Sequence, residues 1–258
     1  MTGGKPRVGH MKVEEINPYG GEAPKGEQVE RMFDSIAHRY DFMNSAMSLG
    51  QHKRWRDKAL KRALRELEPE RPSKILDIAT GTGDLAFRLH ELEPNARITG
   101  IDLSEGMLEE ARKKLNLYPP EVKRLIAFGK ADSLALPFHH GEFDLVTVAY
   151  GVRNFSDLRK GISEMRRILR PGGVLCIIEL STPCGLITKP LYNLYSGKII
   201  PWLGKRVTGD SRAYSYLPES IAACPQREEM GALLYAEGFS HVGWQSLSFG
   251  ALTYYFAR

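Results

Sequence analysis

Cysteine is scarce in this 258-residue sequence: its three cysteines, Cys176, Cys184 and Cys224, show no CxxC spacing. This argues against a disulfide framework or a cysteine zinc site and favours a reducing compartment. Long apolar runs are also missing. Because no stretch of 18 apolar residues occurs and the first ten residues lack an apolar core, we expect neither a transmembrane helix nor a signal peptide, and therefore a cytoplasmic protein.

A strong charge of either sign is likewise absent. The net charge of +5 is small and dispersed, which argues against nucleic acid as a partner. Internal repeats and low-complexity segments do not occur. Residues 1–27 are rich in glycine, proline, lysine and glutamate and are predicted to form a flexible N-terminal segment. Residues 28–258 have the composition of one soluble globular domain.

The most informative stretch is residues 75–86, ILDIATGTGDLA. Its apolar start is typical of a buried strand, and Asp77 among those apolar residues must find hydrogen-bond donors. Residues 80–83, TGTG, predict a tight turn, after which Asp84 is placed to cap a helix. A strand, a glycine turn and a helix N-terminus present backbone N–H groups that suit an adenosine-bearing cofactor.

A second feature supports such a cofactor site. Gly81, Gly83 and Ala86 satisfy the loose dinucleotide pattern, which by itself is weak evidence. Asp102 ends the next apolar run, 19 positions after Gly83, where its carboxylate could accept both ribose hydroxyls. Together these features predict a nucleoside-cofactor site; the alternative is a tight turn with a helix-capping aspartate.

Strands and helices alternate in the middle of the chain, over residues 73–180. Apolar runs predict strands at 74–79, 97–102, 124–130, 143–150 and 174–180. Helices are predicted at 84–92, 105–115 and 155–169, with Ser104 and Ser156 as N-caps. This alternation is typical of an α/β fold with a mostly parallel sheet and helices on both faces.

The remaining segments flank this core. Residues 28–72 predict a helical cap of two helices (28–47 and 53–67), residues 181–225 a helical lid, and residues 226–258 a helix and two closing antiparallel strands. One face of the second cap helix carries six cations: Lys53, Arg54, Arg56, Lys61, Arg62 and Arg65. This basic face indicates either an ordinary solvated surface or a segment that binds a membrane or a partner.

Two longer patterns point to a family. One is YDFMN at residues 40–44, followed by Met47-Ser48, His52 and Trp55; the other is RILRPGGVLCIIELS at residues 167–181. From about residue 28 onwards the sequence resembles the class I methyltransferases that use S-adenosyl-L-methionine. More narrowly, it resembles the quinone-biosynthesis C-methyltransferases that act on demethylmenaquinone or on a ubiquinone precursor. The resemblance implies a Rossmann-like sheet of seven strands.

The resemblance also implies which residues hold the cofactor. The glycine turn matches the loop beside the methionine part of S-adenosyl-L-methionine, Asp102 matches the ribose-binding acid, and Asp132 with Ser133 matches the turn that holds the adenine. Ala149 stands where some members carry a serine, so a hydrogen bond is lost there. The implied cofactor-binding set is Asp77, Gly81, Thr82, Gly83, Asp102, Asp132 and Ser133.

The chemistry requires an activated ring carbon. A quinol carbon becomes a good nucleophile when an adjacent hydroxyl ionises, and a free phenol has a pKa of about 10, so the site must favour the phenolate. Arg153, in GVRNF beyond the fourth strand, is the candidate catalytic residue, because its guanidinium could stabilise that charge and orient a water that takes the proton. The alternative is that Arg153 has only a structural role and holds its loop in place.

The resemblance places three cap residues in the same pocket: Tyr40, Asn44 and His52. His52 is either a proton acceptor near neutral pH or a structural histidine. No metal site is predicted. The implied reaction is methylation of a prenylated quinol, most simply demethylmenaquinol to menaquinol. The alternatives are 2-methoxy-6-polyprenyl-benzoquinol, a ubiquinone precursor; another small-molecule methyltransferase; and a non-enzymatic nucleotide-binding module.

A prenylated quinol partitions into lipid. We therefore expect reversible, peripheral association with the anionic inner face of a membrane, through the basic cap helix and the lid. Charge reversal at Arg54, Arg62, Lys198 and Arg206 should weaken that association. The sequence leaves homo-oligomerisation open.

Overall fold

The computed structural model describes residues 12–48, 50–67, 73–186, 188–194 and 211–258. Their strands are Lys74–Ile78 (β1), Arg97–Asp102 (β2), Ile126–Lys130 (β3), Phe143–Ala149 (β4), Leu169–Leu180 (β5), Val242–Leu247 (β6) and Leu252–Ala257 (β7). All seven form one sheet in the order β3-β2-β1-β4-β5-β7-β6. Strands β1 to β5 are parallel, and β7 pairs antiparallel with both β5 and β6. The predicted mostly parallel, seven-stranded sheet is confirmed.

The helices of the described residues cover both faces of this sheet. They are Lys25–Ile36 (α1), Tyr40–Ser48 (α2), Gln51–Leu64 (α3), Asp84–Leu92 (α4), Glu105–Leu115 (α5), Pro120–Lys123 (α6), Leu158–Ile168 (α7), Thr188–Leu194 (α8), Ser211–Ala223 (α9) and Glu228–Ala236 (α10). One face packs against α3 and α4, the other against α7 and α10. Because both faces are covered, the β4 residues 143–148 are all buried, as parallel strands usually are.

Several predicted boundaries differ for local reasons. The helix predicted at 28–47 is two helices, because a 3₁₀ turn at Ala37–Arg39 separates α1 from α2. Strands β1 and β4 each end one residue early, since Ala79 and Tyr150 adopt positive φ angles of 52° and 58°. Helix α7 begins at Leu158 rather than Phe155.

The predicted helix caps need two corrections. The N-cap of α7 is Asp157, not Ser156, and its side chain accepts a hydrogen bond from the Lys160 N–H. Gly83, not Asp84, occupies the N-cap position of α4 and makes no side-chain capping bond. The Ser104 cap of α5 is confirmed, since its hydroxyl accepts from the Met107 N–H.

The segment before α1 packs on the domain. Val13 is buried, and the buried Lys25 ammonium donates to the carbonyl oxygens of Val13 and Arg153. Val13 and Lys25 therefore pack on the domain, although both belong to the segment 1–27 that was expected to be flexible, whereas residues 20–24 are exposed. Of the predicted lid, α8 and α9 are described, whereas Lys198 and Arg206 lie outside the described residues.

Candidate active site

A cavity of about 330 Å³ opens at the carboxyl ends of β1, β2, β3 and β4. This edge is where open α/β sheets bind their ligands. Helices α1 and α2 of the cap form the opposite wall. Of the predicted site residues, five line the cavity: Tyr40, Gly81, Asp102, Asp132 and Ser133. The other six do not line it: Asp77, Thr82, Gly83, Asn44, His52 and Arg153.

The two turn glycines serve different purposes. Both have positive φ, 57° at Gly81 and 80° at Gly83, which disfavours any other residue. A Cβ on Gly81 would meet only Tyr40 Cε1, at 3.8 Å, so the space above Gly81 is open to a ligand. A Cβ on Gly83 would lie 2.8 Å from Phe128 Cζ. Gly83 therefore lets the turn pack against the sheet.

Asp77 holds the glycine turn from below. Its carboxylate accepts hydrogen bonds from the Thr80 and Thr147 hydroxyls, at 2.6 and 2.7 Å. Burial raises the pKa of Asp77 to about 6, and these two hydrogen bonds only partly offset that effect. Asp77 thus shapes the turn without lining the cavity.

Asp102 lies at the tip of β2, as predicted. Its Oδ2 accepts from the Gly81 N–H at 2.8 Å, and its Oδ1 accepts from the Ser104 N–H at 2.9 Å. Burial raises the pKa of Asp102, against these backbone hydrogen bonds. Because each carboxylate oxygen has more than one acceptor site, Asp102 can hold the turn and still accept hydroxyls from a ligand.

Asp132 and Ser133 form the wall beyond β3. Asp132 Oδ1 accepts from the Leu134 N–H at 2.8 Å in a tight turn, and its side chain is exposed, whereas Ser133 is buried. Asp132 and Asp102 therefore both bring a carboxylate to the wall of the cavity.

Arg153 belongs to a buried ion pair next to the cavity. Its Nη1 donates to Glu179 Oε1 at 2.8 Å and also to the Tyr150 carbonyl, and the two ionised side chains are 7% and 4% exposed. Burial alone would lower the pKa of Arg153, but the Glu179 carboxylate and, less strongly, the Tyr40 and Tyr216 hydroxyls act against it, and the pKa is raised. Arg153 is therefore a charged group that also holds its loop.

Two donors beside this pair lack partners. Arg153 Nε and the Tyr150 hydroxyl are buried and make no hydrogen bond with any residue that the structure describes. A buried donor without a partner costs free energy. Tyr150 lines the cavity and has a strained positive φ, a feature that clusters at functional sites.

The three predicted cap residues take different positions. Burial raises the pKa of the Tyr40 hydroxyl, and the nearby Asn44 side chain acts against that shift. His52 is buried, and its Nδ1 pairs with the Ser48 hydroxyl at 2.6 Å. Burial and the nearby Arg56 lower the pKa of His52 to about 4. This environment therefore does not make His52 a proton acceptor near neutral pH.

Sequence reasoning missed several residues of this region. Asn154 lines the cavity and accepts a hydrogen bond from the buried Tyr216 hydroxyl of α9 at 3.0 Å. Glu179 and Lys25 hold Arg153. Only Glu179 gave a signal, as a single charge in the apolar run of β5, since a buried charge needs a partner. Among the described residues, no group of three histidine, cysteine or acidic side chains could hold a metal ion.

Comparison with known proteins identifies the family. A model described as the ubiE/COQ5 methyltransferase family matches residues 22–258. The chain belongs to this family. A relative from Bacteroides fragilis, named demethylmenaquinone methyltransferase, is 45% identical over 95% of this chain and 97% of its own length. A Geotalea uraniireducens member, named ubiquinone/menaquinone biosynthesis C-methyltransferase UbiE, is 39% identical over 90% of this chain and 96% of its own.

Solved structures of methyltransferases share the fold. A Haemonchus contortus phosphoethanolamine N-methyltransferase 2 in complex with S-adenosyl-L-methionine superposes with a TM-score of 0.63, covering 92% of this chain and 60% of its own, at 15% identity. A Thermotoga maritima SAM-dependent methyltransferase gives a TM-score of 0.57 over 88% of this chain and 98% of its own, at 18% identity. At these identities the likeness concerns the fold alone. The predicted methyltransferase family and fold are confirmed.

Proposed function

We propose that this enzyme transfers a methyl group from S-adenosyl-L-methionine to a ring carbon of a prenylated quinol, converting demethylmenaquinol to menaquinol. The observation that carries this proposal is the near full-length match to relatives named demethylmenaquinone methyltransferase, which includes the cap. The UbiE relatives keep a ubiquinone precursor as the second candidate substrate.

The residues of the cavity fit the methyl donor. The open position above Gly81 admits a ligand close to the backbone. We assign Asp102 to the ribose hydroxyls and Asp132 with Ser133 to the adenine, and all three line the cavity. When bound, S-adenosyl-L-methionine supplies an electrophilic methyl group on its sulfonium. The chain's own residues then orient the two reactants.

The substrate side of the site offers charge and hydrogen bonds. The Tyr150 hydroxyl lines the cavity and is a donor that a quinol oxygen would satisfy, and the Arg153 guanidinium lies next to Tyr150, whose carbonyl it bonds. A fixed cation at that point favours the phenolate over the phenol, which is the ionisation the ring carbon needs. Glu179 holds the guanidinium in place, and a guanidinium is a poor base. The phenol proton therefore leaves to water rather than to Arg153, and His52 is too weak a base to take it.

The test of the substrate is complementation. A bacterial strain that makes both menaquinone and ubiquinone, and lacks its own quinol C-methyltransferase, is given this gene, and its quinones are measured by mass spectrometry. Restored menaquinone with loss of demethylmenaquinone supports the proposal. Restored ubiquinone alone would favour the second substrate, and accumulation of both precursors would contradict both.

We also propose that the enzyme meets this substrate at an anionic membrane surface. The described residues contain no helix long and apolar enough to span a bilayer. On α3, Lys53, Arg54 and Lys61 are exposed, whereas Arg56 pairs with Asp84 and Arg62 with Glu66. Exposed cations of this kind attract anionic lipid.

Exposed apolar residues lie at the same edge of the sheet as the cavity. Phe249, 85% exposed, stands in the turn between β6 and β7. Ser248 of this turn accepts from Trp55 Nε1 of α3, at 2.9 Å, so the turn abuts the basic helix. Leu186, 96% exposed, follows β5 at the same edge. Cations beside exposed aromatic and aliphatic residues are typical of interfacial segments.

Flotation with vesicles of anionic phospholipid tests this surface at low and high salt. We expect wild-type protein to float at low salt and to be released at high salt, and Arg54→Glu or Phe249→Ser to weaken flotation. The matched controls are Arg124→Glu and Leu117→Ser, which change exposed residues near the opposite edge of the sheet. Equal flotation of test and control variants would contradict the proposal.

A further inference from the structure

A cluster of four charged side chains and one hydroxyl lies behind the glycine turn, outside the cavity. Lys114, near the end of α5, donates from Nζ to Asp41 Oδ2 at 2.5 Å, to Asp84 Oδ1 at 2.7 Å and to Thr82 Oγ1 at 3.0 Å. The Thr82 hydroxyl donates to Asp41 Oδ1 at 2.6 Å. Arg56 Nη2 lies 3.3 Å from Asp84 Oδ2. All three protons of the Lys114 ammonium thus have an acceptor.

The charges of this cluster balance. Two cations face two carboxylates, and Lys114 bridges both carboxylates at once. Burial alone would lower the pKa of Lys114, but the hydrogen bonds to Asp41 and Asp84 raise it. Each single pair is partly exposed and worth little on its own. Because Lys114 bonds three groups at once, its removal breaks all three contacts rather than one pair.

The segments that it joins are distant in sequence. Asp41 belongs to cap helix α2, Thr82 to the glycine turn, Asp84 to α4 and Lys114 to α5. Asp34 of α1 ties the cap to the other end of α5, where it accepts from the Ser104 hydroxyl at 2.6 Å and the Gly106 N–H at 3.0 Å. The cap is thus attached at both ends of one helix.

The neighbours of two cluster residues line the cavity. Tyr40 precedes Asp41, Gly81 precedes Thr82, and Tyr40 Cε1 lies 3.8 Å from the point where a Cβ on Gly81 would be. The hydrogen bond between Asp41 and Thr82 therefore sets the gap between the Tyr40 ring and the Gly81 backbone. A ligand that lies along the glycine turn must fit that gap.

We propose that Lys114 is a positioning residue, which fixes the cap on the glycine turn and thereby sets the affinity for the adenosine-bearing ligand without contacting it. Without its ammonium, Asp41 and Asp84 are two carboxylates with one fewer cation between them, and α2 moves away from the turn. The ligand binds the state in which α2 rests against the glycine turn. If the variant populates that state only a tenth of the time, its apparent Kd rises about tenfold. Thr82 is then an anchor of the cap rather than a ligand contact.

The test compares Lys114→Met with Lys113→Met. Lys113 is the control because it is the next residue of α5 and pairs with Glu110 at 2.7 Å on the outer surface. Titration calorimetry with S-adenosyl-L-homocysteine should show an affinity about tenfold weaker for Lys114→Met and unchanged for Lys113→Met. Hydrogen exchange of residues 40–48 in the ligand-free protein should be faster in Lys114→Met alone.

Two further variants separate positioning from a general loss of structure. Lys114→Arg keeps the charge and should recover most of the affinity. Asp41→Asn combined with Lys114→Met removes one of the facing carboxylates, so its loss should be smaller than the sum of the single losses. Equal Kd and equal exchange in Lys114→Met and Lys113→Met would overturn the proposal.

The ligand named in this test rests on the proposed function, whereas the cap attachment does not. If wild-type protein fails to bind S-adenosyl-L-homocysteine, the proposed methyl donor is contradicted. Hydrogen exchange of residues 40–48 then decides on Lys114 alone: faster exchange in Lys114→Met supports the attachment, and unchanged exchange overturns it.

Discussion

The two halves of the cleft are built from different kinds of contact. On the side proposed for the cofactor, Asp102 and Asp132 accept hydrogen bonds from backbone N–H groups of their own turns or of the adjacent glycine turn. On the side proposed for the substrate, buried side chains from distant segments meet: Lys25 donates to the carbonyl of Arg153, 128 positions away in sequence. The first half is a property of short motifs, whereas the second exists only once the chain has folded.

The largest effect is expected when the buried cation of Arg153 is removed. Arg153→Met leaves Glu179 without its ion-pair partner, and breaking a buried pair in this way costs about 3–5 kcal/mol of stability. We expect that loss in denaturant unfolding, together with a strong fall in turnover, while the intrinsic affinity of the folded protein for S-adenosyl-L-methionine changes little.

A charge-balanced variant is the control for this prediction. Glu179→Gln combined with Arg153→Met removes both charges, so it should recover part of the stability but none of the turnover. If the double variant recovers activity, Arg153 acts on the loop alone and not on the chemistry.

Substitutions at Gly81 and Gly83 should separate an effect on ligand binding from an effect on packing. Gly83→Ala should cost about 2–4 kcal/mol of stability, because its Cβ would overlap Phe128 and the φ is positive. Gly81→Ala should cost only about 1–2 kcal/mol, from φ alone, yet weaken S-adenosyl-L-methionine binding more than its stability loss explains. Unfolding curves and calorimetry on both variants give the measurement; reversed effects would refute the assignment.

The next largest effect is expected at Asp102, on the affinity for S-adenosyl-L-methionine. Asp102→Ala should weaken S-adenosyl-L-methionine binding by about 1.5–3 kcal/mol, the range for hydrogen bonds to a charged group. The fold should survive, because the residue stands at a strand tip. Asp102→Asn keeps one acceptor oxygen and should lose less. Unchanged affinity of the alanine variant in calorimetry would remove Asp102 from the site.

The smallest effect concerns pH. His52 has a pKa of about 4 in the folded protein, against an ordinary value of 6.5. The unfolded chain therefore binds a proton first, and stability is lost as the pH falls from about 6.5 to 4. Asp77, with its raised pKa of about 6, acts in the opposite direction, so stability from its proton is lost as the pH rises from about 4 to 6.

Because the two effects oppose each other, the contribution of His52 to the pH dependence of stability has to be measured as a difference between wild type and a variant. Between pH 6.5 and 4, His52→Gln should lose about 1–2 kcal/mol less stability than wild type. Denaturant unfolding at several pH values gives this difference, and Asp77→Asn is the matched variant, whose difference from wild type should have the opposite sign. Parallel pH profiles of wild type and His52→Gln would show that burial does not shift the imidazole.

The sequence predicts the strands and helices around the glycine turn well, because the signals for these elements are local. Strand Arg97–Asp102 and helices Asp84–Leu92 and Glu105–Leu115 have the predicted bounds, since period, cap and turn residues coincide there. The helix before residue 48 was predicted as continuous because the apolar spacing hides the 3₁₀ turn at Ala37–Arg39.

The substrate half could not be predicted in the same way. Glu179 lies in an apolar strand, where nothing in the local pattern shows that Arg153 would meet it. The role of Thr82 likewise depends on Asp41 and Lys114, which are 41 and 32 positions away. Contacts of this range depend on how helices pack on the sheet, and that information is spread over the whole chain.

The order of strands has a consequence for synthesis on the ribosome. Strand β7 is made after β6, yet it stands between β5 and β6 in the sheet. Until residues 252–257 leave the exit tunnel, β5 has an open edge and β6 has no neighbour, so neither can complete its ladder. The parallel core can assemble while translation continues, but this last gap closes only when β7 enters it. A stalled nascent chain that ends before residue 252 therefore exposes an unpaired, aggregation-prone strand edge. We expect a chaperone to bind such a chain.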